Sequence, residues 1–190
     1  MGTNARNIEK DLLDEYGFEI FEQNPFPLAY LITFRTYGTW LHGDKRISTR
    51  RRRTNPRESK FIQPNVPLKE VMASELTHVP VILNSQQRTC VEEAVKSLCT
   101  KREYVLDAVN CRSNHAHAVI GAQSPPRRIA DALKASATRD LRDRGLVGAD
   151  DRIWARGRSV RYLWKPRHVA AAVDYVLYCQ QDIPFEFKDE

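Results

Sequence analysis

Tyr104 to Cys111 reads YVLDAVNC, and His115 to Gly121 reads HAHAVIG. Only Arg112, Ser113 and Asn114 lie between them. Two β-rich apolar runs joined by so short a polar turn predict an antiparallel hairpin. His115 and His117 stand two residues apart in the second run, so on a strand both imidazoles point to one face and Ala116 to the other. Two imidazoles converging on one point make half of a divalent metal site. A bare H-x-H is a common pattern, and its context must carry the reading.

Working outward, Asn84 or Ser85 caps a helix over Gln86 to Thr100, with Val91, Ala94, Val95 and Leu98 on one face. Further upstream, Ala29 to Tyr37 (AYLITFRTY) reads as the first core strand. Downstream, Ser124-Pro125-Pro126 opens a helix that runs to about Arg144 and stops at Gly145. Ser159 to Trp164 (SVRYLW) reads as a short fourth strand, and Pro166 begins a last helix through Gln180 or Gln181. The order β-α-β-β-α-β-α predicts an α+β fold: a ferredoxin-like antiparallel sheet with helices on one face. Residues 1–28 read as a helical extension, stopped by Asn24-Pro25 and Pro27. The domain proper is expected over 29–182, with a long basic loop at 38–80 and a short tail at 183–190.

Composition narrows the class. The chain has 190 residues, 42% hydrophobic and 28% charged, which fits one globular domain with a real core. No run approaches the ~18 apolar residues of a membrane helix, so no membrane partner is expected. The N-terminus lacks the apolar stretch of a secretory signal, and Cys90, Cys99, Cys111 and Cys179 show no C-x-x-C spacing. A cytoplasmic, nucleoid-associated protein without disulfides is the expectation. Lys+Arg number 30 against 24 Asp+Glu, a net charge of +6, and the excess is clustered. One cluster holds Arg50, Arg51, Arg52 and Arg53, and a second runs from Arg127 to Arg144 and includes Lys134 and Arg139. A third, from Arg152 to Arg167, carries Arg158 and Arg161 and is interleaved with Trp154, Tyr162 and Trp164. Cationic side chains bind phosphates and aromatics stack on unpaired bases, so these clusters are candidate contacts for nucleic acid. A solvated basic face is the plain alternative for any one cluster.

The last helix carries Tyr175 and Tyr178. A phenol can attack a phosphodiester when a metal polarises the phosphate. Tyr175 flanks the apolar stripe of this helix and can reach a neighbouring strand, whereas Tyr178 lies opposite the stripe.

With these parts assembled, the sequence resembles the single-tyrosine HUH transposases that act on single-stranded DNA, in particular the REP-associated tyrosine transposase branch. The segments that carry the resemblance are LITFRTYGTWLHGD (31–44), NHAHAVIGA (114–122), LKASATRDLR (133–142), RIWARGRSVRYLW (152–164) and AAVDYVLYCQ (171–180). They span nearly the whole chain after residue 28. The resemblance implies the HUH endonuclease type of fold, with Mg²⁺ or Mn²⁺ held by His115, His117 and a carboxamide, here Gln180. It implies that Tyr175 cleaves single-stranded DNA, stays joined to the 5′-phosphate and leaves a free 3′-OH, in a monomer or homodimer. The carboxamide of the family usually lies about one turn after the tyrosine; here Cys179 is at +4 and Gln180 at +5. On an ideal helix that turns Gln180 about 140° from Tyr175. Two alternatives stay open: a domesticated relative that grips DNA hairpins with weak or no cleavage, and an unrelated metal phosphoesterase using His115 and His117.

Overall fold

The structure is a computed structural model that describes residues 25–44, 48–49 and 61–178. The N-terminal extension through residue 24, the Arg50 to Arg53 run, Gln180 and the 183–190 tail lie outside the described residues. In chain order the elements are β1 (Ala29–Arg35), β2 (Ser48–Thr49), β3 (Phe61–Ile62), α1 (Val66–Ser74), α2 (Ser85–Lys101), β4 (Val105–Cys111), β5 (His115–Gly121), α3 (Pro126–Asp143), β6 (Ser159–Leu163) and α4 (Pro166–Leu177).

β4, β5, β1 and β6 form, in that spatial order, a four-stranded sheet in which every neighbouring pair is antiparallel. This is the ferredoxin-like order, with α2 and α3 as its two crossovers. β1 sits centrally and is covered on both faces, so its apolar residues run nearly unbroken instead of alternating with polar ones.

The helix boundaries follow from local chemistry. At the start of α2, the Asn84 side chain accepts from Gln87 N at 2.9 Å, and the Gln87 side chain accepts from Asn84 N at 2.9 Å. α3 ends at Gly145, which takes a positive φ of 65°. There Leu146 N donates to Leu141 O and Gly145 N to Arg142 O, both at 2.9 Å, closing off carbonyls that the helix cannot satisfy itself.

Two expectations need correction. The helices do not all lie on one face. Tyr30, Ile32, Phe34, Ala116, Ala118 and Ile120 pack against Val91, Val95, Ile129 and Leu133 of α2 and α3. Leu31, Ala108, Val119 and Leu163 form a second core with Ala172 and Val176 of α4, on the opposite face. The long 38–80 loop is also partly regular, since it contains α1. Asn65 caps that helix by accepting from Leu68 N at 2.9 Å, and Pro67 occupies its first turn. α4 is described to Leu177, with Tyr178 as its C-cap; the expected continuation to Gln180 lies outside the described residues.

Candidate active site

The α4 face of β5 carries His115, His117 and Val119, by simple alternation from the buried Ala116 and Ala118. Register fixes their neighbours. On β1, Arg35 lies opposite His115 and Thr33 opposite His117; on β4, Asn110 lies opposite His117. The two imidazoles have ring centroids 4.6 Å apart.

Each ring is held through Nδ1. His115 Nδ1 donates to Asn114 Oδ1 at 2.6 Å. His117 Nδ1 and Thr33 Oγ1 lie 2.8 Å apart. With Nδ1 committed in this way, Nε2 is the nitrogen through which either ring could bind a metal. Burial drives the His117 pKa down to about 3, helped by the nearby His115, Arg112 and Arg35. His117 is therefore neutral at ordinary pH, the protonation state that a metal ligand requires. Arg35 and Arg112 also give this face a positive potential suited to a phosphate. The Arg35 guanidinium lies 3.3 Å from the centroid of the Trp40 ring, at the end of β1 nearest His115.

Tyr175 comes to this place from α4. Its ring centroid is 5.3 Å from that of His117, at an interplanar angle of 77°. Tyr178, by contrast, is 73% exposed at the helix C-cap. The structure thus brings His115, His117 and Tyr175 together. Arg161 pairs with Leu31 and shares their face of the sheet.

The other predicted cations stand elsewhere. Lys134 and Arg139 lie on α3, across the sheet from the histidines. Arg139 is exposed. Lys134 Nζ donates to Ala155 O at 2.8 Å and to Gly157 O at 2.7 Å, so it ties down the loop before β6. Its burial, together with Arg158, lowers its pKa. Arg158 pairs with Asp131 of α3 at 3.3 Å. Gln180 and Arg50 to Arg53 lie outside the described residues. Among the described residues, no group of three or more His, Cys, Asp and Glu side chains gathers to hold a metal. No helix among them is long and apolar enough to cross a membrane.

The sequence reading missed Thr33, Arg35 and Arg112. A signal for the first two existed: in AYLITFR, Thr33 and Arg35 are the polar members of the alternation that also holds Ala29 and Leu31.

Among solved structures, the chain resembles a REP-associated tyrosine transposase bound to a REP hairpin. The match has a TM-score of 0.43 and 12% identity over 78% of this chain, and it spans only 63% of the transposase. It also resembles a Deinococcus radiodurans R1 protein assigned as a transposase, with a TM-score of 0.42 and 12% identity over 80% of this chain and 91% of that one. No family model and no curated protein matches the chain.

Proposed function

We propose that this protein cleaves and rejoins single-stranded DNA, with DNA hairpins as its natural substrate and Tyr175 as nucleophile. The contact between the Tyr175 and His117 rings, beside His115 on a cationic face, is the observation that carries this reading. The resemblance of segments 31–44, 114–122 and 171–180 to single-tyrosine HUH transposases supports it.

In the reaction, Tyr175 Oη attacks the phosphorus of a phosphodiester and the phenolic proton leaves. The bond from phosphorus to the 3′-oxygen breaks, and that oxygen takes up a proton as a free 3′-OH. The 5′-phosphate remains on the tyrosine until another 3′-OH attacks and restores a DNA phosphodiester. One ester replaces another, so cleavage and joining need no external energy source.

Arg35 and Arg112 supply positive potential for the strand's phosphate, and Trp40 beside Arg35 offers a ring at the same mouth. His115 and His117 suit a divalent metal, because both rings are oriented through Nδ1 and His117 is held neutral. A metal bound through their Nε2 atoms and completed by Gln180 would polarise the phosphate and stabilise the leaving 3′-oxygen.

The test uses end-labelled single-stranded hairpin DNA with Mn²⁺, followed by denaturing electrophoresis. A covalent adduct that chelator prevents is the expected result. Tight hairpin binding with no adduct in any metal would replace this reading with a DNA-binding one.

A further inference from the structure

β4 contains an irregularity next to this site. Its register against β5 shifts between Leu106 and Ala108, so that Asp107 is the extra residue of a bulge. The consequence is visible in the packing. Leu106 packs with the α2/α3 core, whereas Ala108 belongs to the α4 core. In an unbroken strand, residues 106, 108 and 110 would share one face. The bulge reverses the alternation and turns Asn110 towards α4, opposite His117. Bulges do this elsewhere, re-aiming a side chain at the edge of a sheet.

The re-aimed side chain has a partner. Asn110 Nδ2 donates to Val176 O at 3.0 Å. Val176 lies in the last described turn of α4, one residue before Leu177. Val176 is also the residue immediately after Tyr175. A closed circuit results: Asn110 pairs in register with His117, the His117 ring meets Tyr175, and the next carbonyl returns to Asn110.

This bond supplies what the apolar contacts of α4 cannot. The helix meets the sheet through Ala172 and Val176 on Leu31, Ala108, Val119 and Leu163. Such burial is non-directional, and small side chains on a smooth face tolerate sliding and rolling. A hydrogen bond to one named carbonyl fixes both the axial position and the rotation of the last turn.

We propose that Asn110, turned inward by the β4 bulge, is a positioning residue that sets Tyr175 against His117. The proposal rests on the functional reading above, in which Tyr175 is the nucleophile. An amide is required at this position: an ionised carboxylate of the same shape has no proton to donate and would repel the carbonyl.

The experiment compares wild type with Asn110→Asp and Asn110→Ala. It measures thermal stability, hairpin Kd, single-turnover adduct formation and the NMR shifts of the His117 ring protons, which Tyr175 perturbs by its ring current. The expected result is folded variants with Kd within about twofold of wild type and adduct formation slowed about 10- to 100-fold, as small misplacements of reacting groups produce. The His117 shifts should move towards those of Tyr175→Leu. Adduct formation at the wild-type rate in a folded variant overturns the proposal. So does a loss of rate matched by an equal loss of DNA affinity, which would mark Asn110 as merely structural. If wild type forms no adduct, the enzymatic reading fails by itself. The His117 shifts then decide this inference, and shifts unchanged in Asn110→Asp overturn it.

Discussion

Tyr175 and Tyr178 lie three residues apart on α4 and meet different surroundings: one touches His117, and the other is 73% exposed. Tyr175→Phe should therefore abolish the covalent DNA adduct while Tyr178→Phe retains it, and peptide mapping of the adduct checks the assignment. His115→Ala or His117→Ala should also abolish cleavage but leave hairpin affinity nearly unchanged, because binding rests on the cationic surface. Full cleavage by either variant would remove it from the ligand set. His117 makes a further prediction through its low pKa of about 3. Between the usual histidine value near 6.5 and about 3, the unfolded chain takes up a proton that the folded protein refuses. Stability thus falls as pH drops through that window, by up to about 1.4 kcal/mol per pH unit for this one group. The melting temperature of wild type should drop more steeply from pH 7 to pH 5 than that of His117→Gln. Parallel curves would show that His117 is not held neutral by the fold.

At the scale of elements, the two crossover helices and the terminal helix differ in how their positions are set. α2 joins β1 to β4 and α3 joins β5 to β6, each linking parallel strands separated by one other strand. Right-handed crossovers of this kind leave both helices on one face. α4 follows β6 and connects no two of the described strands, so its apolar stripe alone cannot reveal which face it covers. That is why the sheet, its hairpin and the ends of α2 and α3 were legible in the sequence while the side taken by α4 was not. α1 escaped for another reason: none of its residues is buried, so no apolar period marks it, and only Asn65 and Pro67 signal its start. His115, His117 and Tyr175 could be singled out as candidates because their residue types are distinctive, and the structure brings the three rings together. Asn110 could not, since its side chain reaches the α4 carbonyl only through the β4 bulge, which no residue pattern marks. Lys134 has contacts that its charge alone does not reveal. Its ammonium holds the Ala155 and Gly157 carbonyls. Lys134→Ala should destabilise the fold by about 1–3 kcal/mol and leave the salt dependence of DNA binding unchanged. Replacing Arg50 to Arg53 with Ala should instead flatten that dependence by up to about 3 units of slope, at about 0.7 per phosphate contact on a single strand. Measurements of Kd from low to high salt distinguish the two.

At the scale of the whole molecule, β1 is the first of the described strands in sequence and the last to gain both its neighbours. Thr33 of β1 pairs with His117 on one side and with Ser159 on the other. The β4–β5 hairpin needs only a three-residue turn, so it can form early and locally. β1 must wait for distant partners on both edges, and the loops that close these pairings are long. α4 can dock only after β6 has joined β1, because Leu163 forms part of the surface it covers. Hydrogen-exchange pulse labelling during refolding should find the hairpin amides protected before those of β1, and those of α4 no earlier than β1. A nascent or truncated chain that ends before residue 166 would therefore carry the histidine pair without any tyrosine to oppose it. On the function proposed above, strand-breaking chemistry would be withheld until α4 has been made and has docked, by the order in which the sheet closes.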